Sequence, residues 1–304
     1  MMGVGLGLRG RRHRHRHPDL SRPTTPDEKI WLIMLELLEQ LFRQVRAYMQ
    51  SEQFDHNHVY SQSSAHTTMQ FDREAEDIII SGLIESGHGF EIISEERAAF
   101  TTCDAPPYRI VIDPVDGSTN VTRGIMTAAV ALAVLPIDAP ISPENVQYAL
   151  VGELFSGAVY QAQRDCGAFR NGRRCQVSAT KHLSQCIAGM NFDGRDVITL
   201  SKLLIQQPVL GKVRRTGSSA MDVVYVASGA YDAFIDIGDI LTGESFLASS
   251  SIVLEAGGIV SDQQGNNVQA IPHLSQGYSL VIAGTQELHH ELLGRMNEPA
   301  ETMN

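Results

Sequence analysis

The sequence predicts a mixed fold, α+β or α/β, because helical and strand patterns alternate along a chain long enough to bury a large core. The chain has 304 residues, of which 43% are hydrophobic and 19% charged, an ordinary composition for a globular protein. Strand-like segments also follow one another through short turns between residues 127 and 163, as in antiparallel sheets. After about residue 181 the pattern changes to helices alternating with strands.

These observations divide the chain into three parts. Residues 1–24 form an Arg- and His-rich tail, which we expect to be disordered and to which we assign no function. Residues 25–180 are expected to form an N-terminal α+β lobe with an antiparallel sheet, and residues 181–304 a C-terminal α/β lobe.

The first lobe begins with a predicted helix over residues 25–50, in which Thr25 and Glu28 fit a capping box around Pro26. The polar residues 51–68 are expected to form a loop. Apolar periodicity then predicts a helix over 71–85 and strands over 91–93, 108–112, 127–135, 148–154 and 157–163.

The second lobe is predicted from the same periodicities. Helices are expected over residues 218–228, 245–256 and 286–296, and strands over residues 231–236, 258–261 and 279–283.

Composition excludes several classes of function. The formal net charge of −11 argues against nucleic-acid binding, which needs a basic surface. No apolar run reaches the roughly 20 residues of a membrane helix, so we expect no membrane partner. The four cysteines include no CxxC pair, which indicates free thiols in a reducing cytoplasm rather than a zinc cluster. Cys166 and Cys175 could still meet across a hairpin.

The most informative segment runs from Ile112 to Asn120, with the sequence IDPVDGSTN. An apolar strand delivers Asp113 at its carboxyl end, where ligand sites of α/β proteins commonly lie. The following turn can aim Asp113, the Val115 carbonyl and Asp116 at one point. Such oxygen ligands suit a hard cation such as Mg²⁺, and paired metal ions can support hydrolysis of a phosphate monoester.

Backbone amides near the same turn can bind an anion. Gly117 allows the chain to turn with little steric cost, and the amides of Gly117 and Ser118 can face a phosphate. The alternative for the whole segment is a turn whose aspartates cap the next helix. Glu95 likewise fits a solvated surface and Asp72 a simple helix N-terminus.

Four segments extend the pattern over most of the chain. They are FDREAE at 71–76 with ISEE at 93–96; the Asp113 segment; GAFRNG at 167–172; and RTGSSAMD at 215–222 with GAYDAF at 229–234 and EAGG at 255–258. Together they resemble the inositol monophosphatase family of magnesium-dependent, lithium-sensitive phosphatases. The resemblance implies a layered α-β-α-β-α sandwich of the inositol monophosphatase and fructose-1,6-bisphosphatase type, and a homodimer.

The resemblance also implies roles for individual residues. Two or three Mg²⁺ ions, which Mn²⁺ can replace, would be held by Glu95, Asp113, the Val115 carbonyl and Asp116. The catalytic residues would be Glu95, with Asp72 and Ser118 positioning the attacking water. The substrate would be bound by Gly117, Ser118, Thr119, Gly217, Ser218, Ser219 and Asp236. For Gly217 to Ser219, an ordinary helix cap is the alternative.

One expected metal ligand is missing. The family normally has Trp-Asp ten to eleven residues before its Glu-Ala-Gly-Gly, where this chain has Glu244 and Ser245. Glu244 or Asp239 could substitute for the aspartate, and Ser245 could instead cap its helix.

The predicted function is a magnesium-dependent phosphomonoesterase of a small phosphorylated metabolite, with inositol monophosphate or a related sugar phosphate as the first expectation. Fructose 1,6-bisphosphate, histidinol phosphate and a 3′-phosphonucleotide are alternative substrates. A relative that binds a phosphorylated ligand with little or no turnover is the alternative of another class.

Overall fold

The computed structural model describes residues 26–52, 54–55, 58–62, 67–95, 97–205 and 209–298. Within these ranges the elements are, in chain order, α1 (Pro26–Met49), β1 (Val59–Gln62), β2 (Thr67–Met69), α2 (Gln70–Glu85), β3 (Phe90–Ser94), β4 (Phe100–Thr101), β5 (Tyr108–Asp116), α3 (Ser118–Thr122), β6 (Ala129–Pro136), β7 (Tyr148–Glu153), β8 (Val159–Gln163), β9 (Gly167–Arg170), β10 (Arg173–Arg174), β11 (Ile187–Met190), α4 (Val197–Ile205), β12 (Lys212–Arg214), α5 (Ser219–Ala227), β13 (Ala233–Thr242), α6 (Gly243–Glu255), β14 (Ile259–Ser261), β15 (Gly277–Ala283) and α7 (Gln286–Asn297).

Two large sheets organise the molecule. The first has the strand order β10-β9-β8-β7-β6-β5-β3-β4 and is antiparallel except where β3 pairs with β5. The second has the order β12-β11-β13-β15-β14, in which β11 runs parallel to both of its neighbours. Strand β6 has two buried faces, since Val130, Leu132 and Val134 face one apolar cluster while its alanines face another.

Helix pairs cover these sheets and make five layers. Helices α1 and α2 pack on the outer face of the first sheet, α5 and α6 lie between the two sheets, and α4 and α7 cover the outer face of the second. The predicted α-β-α-β-α sandwich is therefore confirmed. The apolar cluster around α5 and α6 includes strands of both sheets, so the core is continuous across the predicted lobe boundary near residue 181.

The structure corrects several predicted elements. Residues 59–62 and 67–69 form the antiparallel strand pair β1–β2, whereas a loop was predicted over 51–68. The pair was missed because these polar strands lack period-2 alternation. Elements β4, α4, β11 and β12 were missed because each is short or carries a weak pattern. Thr25, the tail over residues 1–24 and Glu96 lie outside the described residues.

The four cysteines are all free thiols, so Cys166 and Cys175 are not bonded across the β8–β9 region. Within the described ranges, none of the helices combines the length and apolar character that a membrane crossing requires.

Close packing of α1 on the first sheet depends on a glycine in β7. A Cβ atom at Gly152 would lie 2.2 Å from the Phe42 ring of α1. We predict that Gly152→Ala lowers the free energy of unfolding by about 1–3 kcal/mol, because the buried ring must shift. Urea denaturation followed by circular dichroism measures this change.

The matched control is Gly294→Ala in α7, where a Cβ would meet no atom within 4 Å. Alanine is the better helix former by about 1 kcal/mol, so this variant should be unchanged or more stable. Equal destabilisation by both substitutions would contradict the packing explanation.

Candidate active site

The segment from Asp113 to Asp116 leaves the first sheet through a β-bulge. Asp113 pairs with Ala131 and Asp116 with Ala129, so three steps along β5 match two steps along β6. Bulges of this kind re-aim side chains at the edge of an active site. Pro114 is tolerated there because a bulge releases one residue from the hydrogen-bond ladder.

Asp113, which is only 2% exposed, lies in the electrostatic field of three other carboxylates. Burial raises the pKa of Asp113 well above its usual value, and the charges of Asp116, Glu95 and Glu244 raise it further. A hydrogen bond of 3.2 Å from Ser245 Oγ to Asp113 Oδ2 opposes this shift. The structure thus gathers acidic groups from β5, the end of β3 and the first turn of α6.

Asp116 connects this cluster to the second half of the chain. Its Oδ2 accepts hydrogen bonds from Ser218 Oγ at 2.5 Å and from the Ala220 amide at 2.7 Å. Burial raises the pKa of Asp116 to about 6, although both hydrogen bonds favour its ionised form. Ser218 also caps α5 by accepting from the Met221 amide, as the helix-cap alternative predicted. Its predicted contact with the substrate stays a prediction.

Asp72 and Ser118 are also brought together. Ser118 Oγ lies 2.7 Å from Asp72 Oδ1 and 2.9 Å from the Val115 carbonyl oxygen. Asp72 is held in place because its other oxygen accepts from the Met69 amide. A hydroxyl carries one hydrogen, so Ser118 can donate to Asp72 or to Val115 but not to both.

Two glycine turns shape the place where an anion would bind. Gly117 has φ +106° and precedes α3, whose first amides are open by the geometry of helix starts. Gly217 has φ +85°, and a Cβ there would lie 2.8 Å from the Asn120 side chain. Asn120 Nδ2 donates to the carbonyls of Thr127 and Thr216, which fastens the two turns together. Thr119 is exposed beside them.

The profile of the inositol monophosphatase family matches residues 24–299. This chain belongs to that family. It is 32% identical over 232 residues to a fructose-1,6-bisphosphatase/inositol-1-monophosphatase of Methanothermobacter thermautotrophicus, covering 74% of this chain and 82% of the relative. An inositol-1-monophosphatase of Mesorhizobium japonicum is 31% identical over 240 residues, with coverages of 76% and 82%.

A solved structure shares the fold of this inositol monophosphatase family member. The extragenic suppressor protein SuhB from Bartonella henselae superimposes with a TM-score of 0.71 and 27% identity, covering 89% of this chain and 99% of that one. The predicted family and fold are confirmed, and so is the enzyme class, a phosphatase of phosphoric monoesters.

Glu255 of the family's Glu-Ala-Gly-Gly segment links helix α6 to the first sheet. It ends α6, and its carboxylate accepts from the amides of Asp165 and Gly167 at the β8–β9 turn. This contact fixes α6 against the first sheet and so helps to set the position of Glu244 at the other end of the helix.

The two substitutes for the missing family aspartate lie in different surroundings. Glu244 is 3% exposed and contributes to the field at Asp113. Asp239 is exposed in the bulge of β13, has φ +54°, and accepts from Ser279 Oγ at 2.6 Å. The alternative that Ser245 caps α6 is wrong, because the cap position is Thr242 and Ser245 lies inside the helix against Asp113.

Asp236, predicted to bind a substrate hydroxyl, is fully buried, and its carboxylate is hydrogen-bonded within the protein. Arg195 Nε and Nη2 each donate to it at 2.8 Å, and Asn191 Nδ2 donates at 2.7 Å. Asn191 also lies 3.2 Å from Ser219 Oγ. Asn191 and Arg195 were missed from sequence, since their partners lie 41 to 45 positions away and no local pattern marks them.

The carboxylates are not arranged as a complete metal coordination shell. Among the residues that the structure describes, no group of three or more His, Cys, Asp or Glu side chains is arranged to hold a metal ion as it stands. The donor set nevertheless fits a hard divalent cation, because it consists of oxygens. Buried like charges that raise the pKa of Asp113 are also the electrostatic situation that a cation relieves.

Asp222 makes the free energy of unfolding of the protein depend on pH. Burial raises the pKa of Asp222 to about 7, against an opposing hydrogen bond from the Thr216 amide. An acid with a raised folded pKa contributes stability below its unfolded pKa and loses it as the pH rises toward 7. We predict that the free energy of unfolding of Asp222→Asn, measured relative to that of the wild type, is higher at pH 8 than at pH 4 by a few kcal/mol.

Thermal melts of both proteins across this pH range in metal-free buffer test the prediction. The amide oxygen of asparagine can keep the Thr216 contact, so folding should be preserved. A stability difference that is constant from pH 4 to pH 8 would contradict the assignment.

Proposed function

We propose that this protein is a magnesium-dependent phosphomonoesterase that hydrolyses a small phosphorylated metabolite. One observation carries the proposal: Asp113 is buried among Asp116, Glu95 and Glu244, whose charges add to burial in raising its pKa. Such a cluster attracts divalent cations strongly, because they neutralise its negative charges. Family membership supplies the phosphatase class.

The metal ligands in this proposal come from both halves of the chain. Glu95, Asp113 and the Val115 carbonyl would hold one Mg²⁺, and Asp113, Asp116 and Glu244 would hold another. Ser245 and Ser218 would release the aspartate oxygens that they contact. Bound Mg²⁺ would supply charge neutralisation at the phosphate and a lower pKa for water.

The remaining residues would orient the reactants. With the Val115 carbonyl engaged by a cation, the Ser118 hydroxyl would donate to Asp72 alone. Its lone pairs then accept from the attacking water and hold that water toward the phosphorus. The open amides at the start of α3, from Gly117 to Thr119, would bind phosphate oxygens, and Gly217 and Ser219 would line the rest of the substrate.

The substrate class follows from the relatives and stays within the proposal. Inositol monophosphate or a sugar phosphate is favoured, because the two relatives are named for inositol monophosphate and one also for fructose 1,6-bisphosphate. Fructose 1,6-bisphosphate, histidinol phosphate and a 3′-phosphonucleotide are the alternatives that a substrate panel must separate.

We further propose that the protein is a cytoplasmic homodimer. Li⁺ would inhibit its phosphatase activity, and Mn²⁺ could replace Mg²⁺. Free thiols on all four cysteines agree with a reducing compartment. Ile125 and Met126, next to α3, are 51% and 72% exposed, and exposed apolar side chains of this kind agree with a subunit interface.

A phosphatase panel tests the function directly. Phosphate release should require Mg²⁺, fall with Li⁺, and be fastest for inositol monophosphate or a sugar phosphate among the candidates above. Asp113→Asn should reduce turnover to background because it removes a charge shared by both ions, while Asp104→Asn, an exposed aspartate, serves as the matched control. Ligand binding without turnover at any Mg²⁺ concentration would instead favour a phospholigand-binding relative.

The choice between the two substitute ligands has its own test. We predict that Glu244→Gln raises the Mg²⁺ concentration for half-maximal activity about tenfold or more, as loss of a metal-site partner usually does. Asp239→Asn should change it little, because Asp239 is bonded to Ser279. A strong effect of Asp239→Asn together with no effect of Glu244→Gln would reverse the assignment.

A further inference from the structure

Glu95 lies directly after the last paired residue of strand β3. It follows the last residue of β3, is exposed, and comes after the final ladder pairs Ser94–Ile112 and Ile92–Phe100. A metal ligand needs a fixed position, since small displacements of a reacting group are costly. Side-chain contacts made by residues close to Glu95 in the chain therefore bear on its position.

Arg97, two residues after Glu95, contacts helix α2. Its Nε donates to Glu76 Oε2 at 2.6 Å, and its Nη2 donates to Asp77. The Arg97 side chain is only 22% exposed, and Glu76 is fully buried. A buried charge-assisted hydrogen bond of this kind is stronger than a surface ion pair.

Glu76 lies on the same face of α2 as Asp72, one helical turn further on. Arg73 Nη1 also donates to Glu76 Oε2, at 3.1 Å, whereas Glu76 Oε1 has no hydrogen-bond partner among the described residues. Its buried charge is therefore compensated on one oxygen alone. This makes the position of Glu76 depend on Arg97 and Arg73.

We propose that Arg97 and Glu76 are positioning residues for the metal site. Helix α2 carries Asp72 directly and holds Glu95 through the Glu76–Arg97 contact. The contact thus sets the separation between Glu95 and the Asp72–Ser118 pair across the site. This inference rests on the proposed function, because it assigns Glu95 to a metal ion.

The experiment measures Mn²⁺ binding by electron paramagnetic resonance, with phosphatase kinetics as a second readout. Arg97→Met and Glu76→Gln should each weaken Mn²⁺ binding about tenfold or more. They should raise the Mg²⁺ concentration for half-maximal activity in parallel. The KM for the phosphorylated substrate at saturating Mg²⁺ should stay within about twofold, because neither residue lies among the substrate-lining groups.

Two further variants separate positioning from general stability. Arg97→Lys keeps the positive charge but lacks the planar guanidinium group. Its Mn²⁺ affinity should therefore lie between those of Arg97→Met and the wild type. Asp77→Asn removes the other partner of Arg97, but Asp77 is 58% exposed, and exposed pairs contribute little. It should bind Mn²⁺ like the wild type. If Arg97→Met fails to fold, Glu76→Gln and Arg97→Lys still decide the result.

The outcomes are distinguishable from failure of the proposed function. Wild-type Mn²⁺ affinity in folded Arg97→Met and Glu76→Gln would overturn the positioning role. If the wild type binds Mn²⁺ but hydrolyses no phosphoester, the proposed function fails, and the Mn²⁺ affinities of the variants still decide the positioning role. If the wild type binds no Mn²⁺, both proposals are overturned.

Discussion

Electrostatic repulsion between the buried Asp113 and neighbouring carboxylates is the constraint around which the rest of this protein is arranged. Asp113 lies in the interior with Asp116, Glu95 and Glu244 near it, a combination that costs free energy in a low-dielectric environment. The fold tolerates the cost by supplying donors at each side. Ser245 donates to Asp113, while Ser218 and the Ala220 amide donate to Asp116. A fold that only needed a core would have no use for these groups.

The layered architecture explains how such groups meet. Helices α5 and α6 lie between the two sheets and pack against both. The first turn of α5 therefore reaches Asp116, and the first turn of α6 reaches Asp113. Alanines on the β6 face toward these helices let them approach closely. The acidic cluster consequently lies at the boundary between the two halves, and each half contributes hydrogen-bond donors or carboxylates.

The region between Asp236 and Glu244 joins strand β13 to helix α6. Strand β13 continues to Thr242 and carries a bulge that turns Asp239 toward Ser279. Helix α6 then begins at Gly243, so Glu244 reaches the site at the helix start and Ser245 takes a hydrogen-bonding role beside it. Asp236, one position before this region, is fixed by Arg195 and Asn191. Substrate selectivity and metal affinity would both be sensitive to these contacts.

The sequence by itself determined the longer helices and strands, because their apolar periodicity is strong, and it determined the Asp113–Asn120 segment, because Pro, Gly and paired carboxylates at a strand end have few other uses. It also marked Asp72, Glu95 and Ser118 through the family resemblance. Only the tertiary structure decided that Asp236 is buried under Arg195, that the charge of Glu244 acts on Asp113, and that Arg97 donates to Glu76 of α2. These contacts join residues far apart in the chain. Local periodicity reports which face of an element is buried, but it carries no information about which distant side chain lies opposite.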